Sequence, residues 1–342
     1  MPETEITAPA QILDETGRPQ NFGWARSHLF TFDPSLLRAP GRKVSESDRY
    51  VIFMPTYLFS FEIMDDGYLG YQIMSAVSLG DKKRSTRTFI TPFSLGDLGL
   101  PEDSNTGSIK LRKKNGLINF AVMEGGVRII KVDYPKYSHN RGLRGEVVLS
   151  PPLGAESLYT HMPWRGNGGA FSFSRRSPWF SAEGVIQLGA SELVFTKGNG
   201  WGIFDWSRGV RPRADICFWA AGCGKQGERQ VGFSVGYNSA DSSLGTENAF
   251  FLDGKLQKLD RVTFHIPSAR FAPWRFTSND NRLEMTFTPH QERDENHRML
   301  FLYSLKRRQL FGKFSGKVIL DSGLEFKFRD ITGMAERRKS RF

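Results

Sequence analysis

At 342 residues the chain fits one large or two ordinary domains, and its 39% hydrophobic and 13% aromatic residues, with Phe alone counted 28 times, exclude the disordered and fibrous classes. The formal net charge of +11 suits a polyanion or an acidic membrane surface as partner. Its cations at Lys110 to Lys114, Lys306 to Arg308 and Arg337 to Arg341 are scattered among acids, so solvated strand faces account for them. No specific nucleic-acid partner is expected on that ground, and peripheral contact with a membrane remains compatible with the charge.

The first residues, MPETEITAPAQILDETG, carry neither a positive leader segment nor an apolar stretch after it, and no apolar run approaches the roughly 18 residues a membrane span needs. A cytoplasmic location is the expectation. Residues 1–30 read as an extended lead-in, because Pro9, Pro19 and the Thr16-Gly17 turn break any periodic pattern. From Tyr50 strand-length runs begin: YVIFM, YLFSFEIM and YLGYQIMSAVSL, the last two parted by Asp65-Asp66-Gly67, a hairpin signal. SIKLRKK, LINFAVME and VRIIKVDY follow as a meander through Lys114-Asn115-Gly116 and Glu124-Gly125-Gly126. Their partial alternation of apolar and basic residues predicts one dry and one wet face.

GEVVLSPPL ends at Pro151-Pro152, and the irregular stretch from Gly154 to Pro178 marks a division into a first β domain over 31–160 and a second over 161–342. The second half continues as EGVIQLG, SELVFTKG, DICFWAAG, RQVGFSVGY, ENAFFLDG, KLQKLDRVTFHI, WRFTSND, NRLEMTFTP, MLFLYSL, GKFSGKVIL and LEFKFRD. Turns are expected at Asp253-Gly254, Asn279-Asp280 and Asp321-Ser322-Gly323. Strands this closely spaced, without a convincing helical period, predict an all-β fold of antiparallel barrels or sandwiches with little helix.

Chemistry-bearing residues concentrate between Trp201 and Trp274. In GWGIFDWSRGVRPRADICFWAAG, Asp205 lies beside Trp206 and near Trp201, Arg208, Phe218 and Trp219. A carboxylate desolvated by indoles has its pKa raised and suits a general acid. The competing reading pairs Asp205 with Arg208 or Arg211 to hold the loop. In GFSVGYNSADSSLGTENAFFLDG, Tyr237, Asn238, Glu247 and Asn248 fall at predicted strand ends, where polar groups face a cavity or cap a turn. Asp205 with Glu247 makes a candidate acid and base pair.

His161, between Tyr159 and Trp164, is a candidate pocket-lining proton donor, against a satisfied core histidine. His290 and His297 flank QERDEN, whose Glu292, Asp294 and Glu295 look solvent-facing, at a spacing that suits no metal. Cys217 and Cys223 read as free, buried thiols. Gly166-Asn167-Gly168-Gly169 stands between no strand and helix, so it cradles no phosphate. Neither a metal nor another cofactor is expected.

ITAPAQILDETGRPQNFGWARSHLF at 6–30, FDWSRGVRP at 204–212, ENAFFLDGKLQKL at 247–259 and APWRFTSND at 272–280, with FGKFSGKVILDSGLEFKFRDITGMAE towards the C-terminus, resemble domain of unknown function 2804 in order and spacing. The final ERRKSRF is more basic than that pattern. More distantly, the layout is similar to tandem lipocalin-like proteins, which include carotenoid hydratases and tocopherol cyclases. That resemblance implies two lipocalin-like β-barrels side by side. It also implies a lipophilic small molecule bound in an aromatic-lined pocket, with cofactor-independent hydration, isomerisation or cyclisation as the possible chemistry. On this expectation Trp201, Trp206, Phe218, Trp219 and Trp274 wall the pocket, Asp205 donates a proton, and Glu247 acts as base or stabilises a cation. Tyr237, Asn238, Asn248 and Arg208 orient the ligand. The alternative is a nonenzymatic binder of polyanions or anionic membranes.

Overall fold

A computed structural model describes residues 3–81, 83–114, 116–139, 141–166, 168–300 and 303–341. Asn115 of the first expected meander turn, Asn167 of the Gly-rich stretch and residues 301–302 of the run MLFLYSL lie outside the described residues. Among those described, helix is confined to three short 3-10 turns at Pro34–Leu36, Gly41–Lys43 and Glu124–Gly126.

The chain opens with β1 (Ala10–Gln11), β2 (Gly23–Ala25) and β3 (Phe30–Thr31). Next come β4 (Val44–Phe53), β5 (Tyr57–Asp65), β6 (Leu69–Ser78), β7 (Arg84–Pro92), β8 (Ser108–Lys113) and β9 (Gly116–Val122). They are followed by β10 (Arg128–Ser138), β11 (Arg141–Ser150), β12 (Leu158–Pro163), β13 (Phe171–Leu188), β14 (Ser191–Phe195) and β15 (Trp201–Val210). A first large sheet runs β7-β6-β5-β4-β15-β13-β11-β10-β9-β8, with β12 and β14 paired to β13 and β2 paired to β12. The remaining strands are β16 (Ala214–Gln226), β17 (Arg229–Tyr237), β18 (Ala249–Leu252), β19 (Lys255–Lys258), β20 (Val262–His265), β21 (Trp274–Ser278), β22 (Leu283–Met299), β23 (Tyr303–Ile319) and β24 (Glu325–Arg341). They form a second sheet in the order β19-β18-β17-β16-β24-β23-β22-β21-β20. Both sheets are antiparallel, the first curled into a nearly closed barrel and the second into a half-barrel.

The chain passes from one sheet to the other between Val210 and Ala214, whereas residues 160 and 161, the expected division, are adjacent within β12 of the first sheet. The lead-in is extended and packed: Ile12, Leu13, Trp24 and Phe30 share a core with Phe59, Phe61, Phe120 and Phe204 of the barrel. Turn chemistry behaves as its residues dictate. Asp253 (φ 50°) and Gly254 (φ 76°) both take the left-handed conformation that a tight hairpin between β18 and β19 requires. KLQKLDRVTFHI breaks at Leu259 to Arg261 into β19 and β20, the two edges of the second sheet.

Where the sheets face each other, their side chains alternate in register. On β13, β15, β4 and β5, Arg176, Asp205, Arg49 and Glu62 are successive cross-strand neighbours and form one charged row. On β22, β23 and β24, Glu295, Arg307 and Arg338 form a second row, and Arg293, Gln309 and Glu336 a third. The rows interlock through Arg49 Nη1 on Glu336 (2.8 Å) and Arg307 Nη1 on Glu62 (2.7 Å). Glu295, expected in solvent, instead turns its side chain with Arg293 against the first sheet, because β22 continues through QERDEN; Glu292, on the opposite face of the strand, is also buried and pairs with Arg270 and Arg308, and Asp294 is exposed. Apolar clusters flank this band. Val51, Phe53, Trp201, Trp219, Phe311 and Met334 lie on one side, and Met64, Ile73, Tyr303 and Leu305 on the other.

Candidate functional site

FSFSRRS in β13 alternates with period two, so Phe171, Phe173 and Arg175 point into the barrel while Ser174 and Arg176 point to the second sheet. There they meet Glu247, at the end of the loop before β18. Ser174 Oγ donates to Glu247 Oε1 at 2.8 Å and shares a 2.7 Å hydrogen bond with Thr160 Oγ1. Arg176 Nη2 donates to the same carboxylate oxygen at 3.1 Å, and its Nη1 reaches Asp205 and the Trp206 carbonyl.

Glu247 forms part of a cleft of about 290 Å³ at the mouth of the second half-barrel, walled by Met162 of β12, Tyr237 of β17 and Val262 and Phe264 of β20. Phe264 meets Tyr237 edge to face at 5.4 Å, and Tyr237 stacks on Phe218 at 4.8 Å. Burial raises the Tyr237 pKa despite nearby Arg337, so its hydroxyl stays a donor at neutral pH. Asn238 and Asn248 also line the cleft, with their amides engaged in structure. Asn238 Oδ1 accepts from Ala240 N at 2.9 Å; Asn248 Oδ1 accepts from Gly236 N at 2.7 Å and its Nδ2 donates to the Asp260 carbonyl at 3.0 Å. Arg261 adds an exposed cation to the lining.

Four expected residues, Tyr237, Asn238, Glu247 and Asn248, therefore share one cleft, with Phe218 behind Tyr237. Asp205 stands one residue behind, linked to Glu247 through Arg176. Burial alone would raise its pKa, but Arg176 and Arg49 outweigh burial and hold it below the usual carboxylate range. Arg49 gives Asp205 Oδ2 two bonds, at 2.9 and 2.5 Å. The carboxyl is therefore ionised at neutral pH and has no proton to donate. Neither arginine expected to pair with it does so. Arg208 projects from the opposite face of β15 onto Asp48 at 2.7 Å, and Arg211 reaches Asp66.

The remaining expected residues lie elsewhere. Trp206 packs edge to face on Phe173 in the barrel, Trp274 packs with Phe276 and Phe287 in the second core, and Trp201 lies in the apolar flank between the sheets. Trp219 donates Nε1 to Ser234 at 3.0 Å under the Arg49 guanidinium, 4.4 Å from its ring. His161 is fully buried among Phe22, Phe30, Phe171 and Phe173, and desolvation lowers its pKa to about 3, so at neutral pH it is an uncharged imidazole. Cys217 and Cys223 are free, with thiol pKa values raised by burial.

Sequence reasoning missed Ser174, Arg176, Arg49, Met162, Val262 and Phe264. The polar alternation in FSFSRR was a signal for the first two.

Comparison with known proteins follows this geometry. CghA solved with Sch210972 superposes at TM-score 0.54 with 12% identity, covering 88% of this chain and 89% of that one; a second CghA structure gives 0.56 with 11% identity over 98% and 94%. A Nitrosomonas europaea protein described as AttH gives 0.50 with 12% identity over 86% and 91%. These likenesses show the fold, a tandem lipocalin-like arrangement. No curated protein sequence matches. The pattern described as Domain of unknown function (DUF2804) matches residues 3–342, and the chain belongs to that family.

Proposed function

We propose, for this member of the domain of unknown function 2804 family, that the cleft at Glu247 binds a lipophilic small molecule and performs cofactor-independent acid/base chemistry on it. The observation that carries the reading is a buried carboxylate, fixed by Ser174 and Arg176, forming part of a cleft walled by Tyr237, Phe264, Val262 and Met162. Its volume of about 290 Å³ is just under the roughly 300–1,000 Å³ of small-molecule sites. That CghA, similar in fold, was solved with a small organic molecule agrees with this reading.

Glu247, ion-paired with Arg176 beside an apolar wall, offers a carboxylate that suits proton abstraction or stabilisation of a developing carbocation, as in isomerisation, hydration or cyclisation of an alkene. The Tyr237 hydroxyl supplies a hydrogen bond from the wall. Asp205 is a positioning residue, aiming Arg176 and through it the Glu247 carboxylate.

Organic extraction of the natively purified protein, followed by mass spectrometry, tests the binding. An isoprenoid or fatty-acyl compound is expected, and it should be lost from Thr263→Trp, which fills the cleft from an exposed position on β20. An empty wild-type protein counts against the reading. For the chemistry, Glu247→Gln should turn over the recovered compound about a hundredfold more slowly while still binding it, the scale of one general base. Undiminished turnover removes Glu247 from the mechanism.

A further inference from the structure

The long strands β22, β23 and β24, of 17 residues each, outrun the second core. Along their overhang one face lies against the first sheet and the other is wet. The wet face carries Arg298 on β22, Lys306 and Arg308 on β23, and Arg337, Lys339 and Arg341 on β24, all exposed, against one exposed carboxylate, Asp294. Lys306 stands directly opposite Lys339, and Arg308 directly opposite Arg337. Like charges facing each other across an antiparallel pair destabilise a sheet, so the fold bears a cost here that an anionic partner would relieve. Arg308 is paired with Glu292 at 2.9 Å; the other five cations have no ion pair among the described residues.

The second observation is apolar. At the tip of the hairpin joining β22 to β23, Leu300 is 83% exposed, beside a recess of about 390 Å³ lined by Arg298, Lys306, Lys339 and Arg341 with no acid. A protruding leucine inside a ring of cations is the arrangement with which peripheral proteins meet an anionic bilayer. The cations sit among lipid phosphates and the side chain enters the acyl boundary. A soluble polyanion would use the cations and have no use for the leucine.

We propose that the wet face of β22 to β24, with Leu300, docks the protein on anionic membranes. One cross-strand row, Arg308, Arg337, Phe218 and Tyr237, runs from this face to the wall of the Glu247 cleft, so docking would bring the cleft towards the lipid. The proposal does not require the cleft to be occupied.

Sedimentation with vesicles of equal parts phosphatidylglycerol and phosphatidylcholine tests it, with pure phosphatidylcholine vesicles and heparin as the other arms. Binding is expected to the anionic vesicles at low salt, to be weak to neutral ones, and to fall steeply with added salt. Lys306→Gln with Lys339→Gln should weaken it about 25-fold, at roughly fivefold per cation. Thermal stability should hold or rise in that variant, since a repulsion has been removed. Leu300→Ser should weaken vesicle binding about tenfold and leave heparin binding unchanged. Failure to bind anionic vesicles at low salt, equal binding to neutral vesicles, or vesicle binding indifferent to Leu300 would each overturn the proposal, the last pointing to a soluble polyanion.

Discussion

His161 and Asp205 show how a residue's neighbours decide its chemistry. Both are buried ionisable groups, yet aromatic rings surround the first and two guanidiniums the second, so one is held neutral and the other charged. The His161 pKa is lowered from 6.5 to about 3, so between those values the unfolded chain binds a proton that the folded one does not. Stability therefore rises with pH in that window: this contribution is complete above about pH 6.5 and is lost progressively towards pH 3, at about 1.4 kcal/mol per pH unit. Denaturant titrations at pH 7, 6 and 5 should show this slope in the wild type and a flatter one in His161→Leu. Equal slopes would mean that the imidazole accepts a proton in the folded state. The sequence placed both residues in the interior, and their protonation depended on partners distant along the chain: Phe22 and Phe30, whose rings help exclude water from His161, and Arg49 for Asp205.

At the scale of the elements, contact between sheets rests on a few glycines. Gly232 of β17 lies so close to β13 that an added Cβ would stand 1.8 Å from the Pro178 carbonyl oxygen, whereas at Gly224 of β16 the nearest atom would be at 3.4 Å. Gly232→Ala should therefore force the strands apart and destabilise by about 1–3 kcal/mol or more, with Gly224→Ala near neutral. Chemical denaturation of the two variants compares them directly, and equal stabilities would show that β17 does not bear on β13. Strands and hairpins were legible because alternation and turn chemistry are local: Asp65-Asp66-Gly67 and Asp253-Gly254 connect the strands that flank them. The second half of β22 was not, since the acids of QERDEN look solvent-facing until Arg307 and Arg308 are seen pairing with Glu295 and Glu292.

Across the whole molecule, the two sheets meet through a charged band between two apolar flanks. A purely apolar face could slide, whereas Arg49 on Asp205 and Glu336, with Arg307 on Glu62 and Glu295, have one satisfactory register, because each misplaced charge would be buried unpaired. The sheets should accordingly melt as a unit. Calorimetry and tryptophan fluorescence are expected to report one coincident transition, and two resolved transitions would show that the band does not couple the sheets.

The segment Trp201 to Trp274 was marked in the sequence by its density of aromatic and acidic residues, and it does contribute Tyr237, Glu247, Val262 and Phe264 to the cleft. Its tryptophans went to cores and to the sheet interface, because an indole's burial depends on which face of its strand it occupies. The amino-acid sequence by itself determined the all-β class and most turns, which rest on neighbours within a few residues, and the family, which rests on the order and spacing of blocks along the chain. Which carboxylate faces a cleft, which arginine pairs with which acid, and that Lys306 to Arg308 and Arg337 to Arg341 form one basic face were decided by antiparallel pairing. Strand register joins residues distant along the chain, and only the folded sheets fix it.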